Sequence, residues 1–170
     1  MKCTLSIEDV REISKKTIQG FKFDLELVPH YIFEYSCSYE GPGGKDVSRT
    51  GLISVNALTG RCTTWDRMPE TEDISADLVR MEPKLDEEHA RGIATKAIIA
   101  LNTEFRELIV ERDHATIIEK STFGPAEESI LAMTSTFVMV PVWCVEGSHG
   151  VMILDGMSGK IISEDYYDKR

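Results

Sequence analysis

Asp86, Glu87, Glu88 and His89 form the densest run of metal-capable and acid-base side chains in this 170-residue chain. Zinc sites favour His pairs at i and i+4, and consecutive residues of a helix point in different directions. The run therefore reads as acids placed at a helix start, where they complement the dipole. Gly156-Met157-Ser158-Gly159-Lys160 has the outline of a phosphate-binding loop. The pattern G-x-x-x-x-G-K-[ST] would need a glycine where Leu154 stands and a hydroxyl where Ile161 stands, so the cradle is missing. His30, His114 and His149 are each isolated, and Ser148-His149 between Gly147 and Gly150 reads as a hairpin turn. There is no G-x-S-x-G elbow and no H-E-x-x-H pair. Cys3, Cys37, Cys62 and Cys144 make no C-x-x-C motif and read as reduced, buried small hydrophobes. The sequence thus assigns no catalytic residue, metal ligand or cofactor.

Charge narrows the partners. Asp and Glu number 29 against 19 Lys and Arg, a net charge of −10, which opposes binding to a phosphate backbone and makes nucleic acid an unfavoured partner. Half of that excess lies between residues 66 and 91, read as a solvated acidic stretch leading into a helix. The hydrophobic fraction of 42% is that of an ordinary folded chain. No run approaches the ~18 apolar residues of a membrane span, and the first residues lack the apolar core of a signal peptide. The expectation is a cytoplasmic chain without a membrane span.

Internal echoes predict the elements that must position any site. Leu5–Ile18 (LSIEDVREISKKTI) and Leu85–Ile98 (LDEEHARGIATKAI) are identical at six of fourteen positions. Ser6 and Asp86 are suited to cap a helix, and apolar residues then recur at helical spacing. Val28-Pro29 precedes the aromatic run Tyr31–Tyr39, and Val140-Pro141 precedes Val142–Val145, with the prolines expected to start strands. Asn56-Ala57-Leu58-Thr59-Gly60 and Asp155-Gly156-Met157-Ser158-Gly159 each predict a turn in which the Asn or Asp bonds backbone amides ahead of it and the Gly closes a hairpin. The expected fold is α+β: two repeated units of one helix packed on a small antiparallel sheet, at 1–66 and 82–170, joined by an acidic linker at 67–81. The second unit carries an insertion of 32 residues near 103–134. Its start is expected to extend the second helix through Leu108 and Ile109, with a strand near Ala115–Glu119.

The helix pattern L-[SD]-x-E-x-[AV]-x-x-[IA] followed by strands and an [ND]-x-x-[TS]-G-[KR] turn resembles the PepSY family and its YPEB relatives, in two tandem copies. The resemblance implies a helix on a small antiparallel sheet and contact with, or restraint of, peptidases. It brings no catalytic residues.

One strand parity holds Tyr31, Phe33, Tyr35 and Tyr39, so one face of the first sheet is aromatic, with Trp143 on the corresponding strand of the second unit. Core packing accounts for such a face, and a groove for a peptide or apolar ligand is the functional alternative. Of three readings, the leading one is a non-catalytic module that contacts a protein or peptide partner through a sheet edge or this aromatic face (Tyr31, Tyr35, Trp143). The next is a homo-oligomeric structural or regulatory domain whose apolar insertion, at Ile117 and Ile118, makes the interface. A metal-assisted hydrolase using scattered His and acids is the least favoured.

Overall fold

A computed structural model describes residues 1–72, 78–112 and 115–167. Helix α1 spans Ile7–Thr17 and is followed by strands β1 (Gly20–Gly41), β2 (Lys45–Asn56), β3 (Cys62–Trp65) and the short β4 (Val79–Arg80). Helix α2 (Glu87–Asn102) leads to β5 (Glu104–Arg112) and β6 (Ala115–Phe123). A 3-10 turn then precedes β7 (Ile130–Gly147), β8 (Gly150–Asp155) and β9 (Ile161–Tyr166). No helix among the described residues is long and apolar enough to cross a membrane.

The helix starts are built by local caps. Ser6 Oγ accepts from the Asp9 amide at 3.2 Å, and Asp9 Oδ2 accepts from the Ser6 amide at 3.1 Å, a reciprocal capping box. Asp86 Oδ1 accepts from the His89 amide at 2.9 Å and lies 2.7 Å from His89 Nδ1. The Asp86–His89 run is thereby occupied as a helix cap.

The two expected helix-on-sheet units do not form. Strand makes up 52% of the chain, the described residues hold two α-helices, and the main sheet is a curled antiparallel half-barrel in the order β3-β2-β1-β7-β8-β9, with β4 joined to β1 in parallel. The long central strands β1 and β7 come from opposite halves of the sequence and pair over most of their length, from Gly20↔Gly147 to Cys37↔Ile130. A tandem PepSY-like arrangement of two separate sheets is therefore overturned. Each helix, moreover, covers strands of the other half. Val10 and Ile18 of the α1 region pack with Trp143, Val145, Met152 and Leu154. Ala90, Ala94 and Ile98 of α2 pack with Phe33, Tyr35, Cys37, Ile53 and Val55.

Two prolines explain the exchange. Pro29 and Pro141 do not start strands; each lies within a long one, opposite Met139 and Leu27 respectively. The carbonyls of Pro29 and Pro141 accept from the amides of Ala57 and Gly156, both at 2.9 Å. Amide and carbonyl of a strand residue point the same way, so each missing N–H faces the turn beyond β2 or β8, and the β1–β7 ladder loses no bond. A non-proline residue would have donated to the carbonyl of Ala57 or Gly156. Instead Ala57 accepts from Lys84 and Leu85 at 2.9 Å, and Gly156 accepts from Thr4 and Leu5 at 3.0 Å. Those four residues lead into the helices, so the prolines leave the acceptors on which each helix docks.

The turns beside these acceptors are closed by side chains. Asn56 Oδ1 accepts from Leu58 and Thr59 amides, and Asp155 Oδ1 from Met157 and Ser158 amides. Gly60 and Gly159 have φ of 73° and 70°. A Cβ on Gly159 would also sit 3.3 Å from Leu5, and one on Gly60 3.3 Å from Ile93. Gly159→Val is expected to lower stability by more than ~1 kcal/mol in urea unfolding, with the fold retained.

The start of the insertion departs from expectation, whereas the strand expected near Ala115–Glu119 is present within β6. Helix α2 ends at Asn102, and Thr103 is already extended at φ −89° and ψ 122°. Residues 104–112 and 115–123 instead pair as a two-stranded antiparallel sheet, from Glu104↔Phe123 to Arg112↔Ala115. The apolar runs Leu108–Val110 and Ile117–Ile118 contain the β-branched Val110, Ile109, Ile117 and Ile118, which favour strands once a paired run is available. The described parts of the 67–81 stretch make contacts of their own: β4 pairs in parallel with Glu26 and Leu27, and the Lys2 amide donates to the Glu70 carbonyl at 3.2 Å.

Candidate functional site

Alternation along β1 decides which edge of the main sheet is open. The carbonyls of Pro29 and Leu27 both accept from the β2 side, from Ala57 and Met81, so odd-numbered residues of β1 direct their backbone polar groups toward β2. Their partners Val55 and Ile53 face back toward β1, and Ser54 and Leu52 face β3, opposite Thr63 and Trp65. Cys62 and Thr64 are left with amide and carbonyl directed outward, past the end of the sheet. Among the described residues no backbone hydrogen bond reaches these groups.

Beside that edge runs a groove of about 590 Å³, lined by Ile53, Cys62, Thr63 and Thr64 from the sheet and by Ala97, Ala100 and Leu101 from α2. The short side chains of Ala97 and Ala100 leave space beside the strand unfilled, and Leu101 at the far end of the helix is 56% exposed. A second cavity of about 850 Å³ meets the first at Thr63 and Thr64 and is bounded by Trp65, Lys2, Arg67 and Lys160. The opposite end of the sheet is different in kind. There every residue of β9 is exposed, and the strand carries Glu164 and Asp165, charges that discourage strand addition. No charge lies within β3.

The residues singled out by sequence divide between core and surface. Tyr35 and Trp143 are each only 8% exposed, Tyr35 beneath α2 and Trp143 beneath α1, where its indole Nε1 donates to the Leu5 carbonyl at 3.2 Å. Tyr31 is half-buried, stacked against Phe33 and tilted against Phe137 at centroid distances of 6.4 and 5.1 Å. Tyr35 and Trp143 are thus helix-covered core, and none of the three rings lines either of the two cavities described above. Ile118 is 56% exposed on the β5–β6 hairpin, which forms a sheet separate from that of β3. The Ile117 side chain and all of His114 lie outside the described residues. The sequence carries little sign of the groove. Its only signal was an uncharged Cys-Thr-Thr-Trp strand after a turn, together with alanines at 97 and 100.

Thiol chemistry is disfavoured at every cysteine. Burial raises the pKa of Cys3, Cys37 and Cys62, and burial with the neighbouring Glu26 carboxylate pushes Cys144 up to about 12. All four are free. A thiol held protonated is a poor nucleophile. Burial pulls His30 down to about 4, against the pull of Asp155, and its Nδ1 lies 2.8 Å from the Oγ of the buried Ser54. Among the described residues no three His, Cys, Asp or Glu side chains converge as a metal site would require. What the β3 edge offers chemically is backbone hydrogen bonds flanked by apolar surface. Comparison with family models, curated proteins and solved structures found no match.

Proposed function

We propose that this chain is a non-catalytic interaction module that takes an extended segment of a peptide or protein partner as an added strand along β3. One observation carries the reading: an uncharged edge strand, with the backbone groups of Cys62 and Thr64 facing outward, lies directly beside an apolar groove. In strand addition the main-chain bonds supply affinity and adjoining pockets select alternate side chains. The groove between β3 and α2 would receive one set of those side chains, and its lining by Ala97, Ala100 and Leu101 suits an aliphatic or aromatic residue. Tyr35 and Trp143, being core, have no part in this contact.

The test uses randomised linear peptides displayed on phage and selected against the intact chain. Thr64→Pro removes the outward amide while sparing the β2–β3 ladder, and Leu101→Asp places a charge in the groove. Selected peptides should lose affinity by about tenfold or more on each variant, given the value of a lost backbone bond and the cost of burying a charge. Peptides that bind both variants as well as the parent, or a selection that yields no binder, would reject the proposal.

A further inference from the structure

The two faces of β3 meet different surroundings, and alternation fixes which face goes with the open backbone groups. Cys62 packs against the cluster beneath α2, and Thr64 stands opposite Ile53 of that cluster, so both side chains lie on the helix-covered face. Trp65 packs with Ile32 and Val138 on the reverse face, and Thr63 shares its parity with Trp65. Cys62 and Thr64, the residues with outward amides and carbonyls, are therefore the two on the groove side. Charge divides the faces as well. The groove is lined by no charged residue, whereas the second cavity, lined by Trp65 and Met157 of the reverse-face cluster, is bordered by Lys2, Asp66, Arg67, Glu70 and Lys160. All five are exposed, and among the described residues none of them takes part in an ion pair.

We infer that the segment taken up at β3 is amphipathic over three residues, apolar, polar, apolar, a reading that rests on the strand addition proposed above. Residues directly opposite each other on paired strands put their side chains on the same face of the sheet. Partner residues opposite Cys62 and Thr64 thus project on the groove side, and the residue between them, opposite Thr63, projects on the side of the charged cavity. The pattern is the same whichever way the partner strand runs, because alternation does not depend on direction. The two outer side chains stand about 6.5 Å apart, as alternate residues of a strand do. A groove of about 590 Å³ is within the range of clefts that enclose a whole small molecule, so both fit. Filling it also covers the exposed Leu101 with apolar surface. An apolar side chain in the middle would instead desolvate charged groups that have no partner among the described residues. That burial costs free energy, and a polar side chain leaves the charges hydrated. With β3 only four residues long, the selective unit is short.

Alanine scanning of peptides that bind the intact chain and lose affinity on Thr64→Pro gives the test, since that loss reports strand addition independently of the peptide's pattern. Two apolar residues at i and i+2 are expected to cost about tenfold or more each, and the residue between them less than about threefold. Aspartate at either outer position should weaken binding by about tenfold or more, and aspartate in the middle by less than about threefold. Lysine at one of the outer positions should regain affinity on Leu101→Asp, and lysine in the middle should not. The scan and the aspartate series use the parent chain alone, which keeps the test decisive if Leu101→Asp folds poorly. Peptides that lose affinity on Thr64→Pro but depend on adjacent residues, on residues further apart, or on an apolar residue in the middle would overturn the inference and leave strand addition standing. Binders indifferent to Thr64→Pro, or no binder at all, would overturn both.

Discussion

Neither half of this chain is expected to fold by itself. Fragments 1–72 and 78–170, expressed separately, should each lack a cooperative unfolding transition, and mixing them should restore one. The reason is that no core cluster belongs to one half. The cluster under α1 joins Val10 and Ile18 to Trp143, Val145, Met152 and Leu154, and the cluster under α2 joins Phe33 and Ile53 to Ala94 and Ile98. On the reverse face Met1 and Ile32 meet Val138 and Val140. Burying one large apolar side chain contributes about 1.5–3 kcal/mol, so losing the contacts of several exceeds the ~5–15 kcal/mol by which a domain is stable. The central β1–β7 ladder is lost as well. Circular dichroism melts of each fragment and of the mixture decide the matter; cooperative melting of either fragment alone would refute it.

Acid should weaken the fold through His30. Its pKa is pulled to about 4 by burial, below the ordinary value of 6.5. Between about pH 6.5 and 4 the unfolded chain therefore takes up a proton that the folded chain refuses, and stability falls as pH falls through that window. Above it the group contributes no pH dependence. The two-and-a-half-unit separation corresponds to about 3 kcal/mol once pH 4 is reached. His89 acts with the opposite sign, because Asp86 raises its pKa, but it is fully exposed and its effect is screened. The check is urea unfolding of the parent and of His30→Gln at pH 7 and pH 4. The parent should lose about 3 kcal/mol more than the variant over that interval. A difference between the two proteins that does not change with pH would defeat the assignment.

What could be read from residues alone was what depends on near neighbours. Ser6 and Asp86 mark helix starts because a cap engages amides within the next three residues. Asn56 and Asp155 mark turns for the same reason. Which strands a helix covers depends instead on partners far away in sequence, and here the deciding groups are the acceptors of Ala57 and Gly156, released by Pro29 and Pro141. The same local pattern fits a helix lying on its own strands or on those of the other half. Leu108 and Ile109 fit either the end of a helix or a strand, and only pairing with 115–123 separates the two. At the β3 edge Ala97 and Leu101 carry the spacing of a buried helix face. Leu101 nevertheless ends exposed, because it lies in the last turn of α2, beside a strand of only four residues.

The pairing of β1 with β7 has a consequence for the chain while it is being made. Pro29 faces Met139, so the main partner of β1 is synthesised about 110 residues after it. At the usual 5–20 residues per second, β1 waits roughly 5–20 s for that partner. The β1–β2 hairpin, closed locally at Gly41↔Lys45, can form in the meantime, but its Phe33 face lacks α2 and its second edge lacks β7. Through that interval the nascent chain carries an open strand edge beside apolar surface, the combination most prone to joining a neighbouring chain. A fold whose first long strand is completed by its third-last is slow by topology, and its yield in a cell is set by how well that waiting hairpin is kept apart from others.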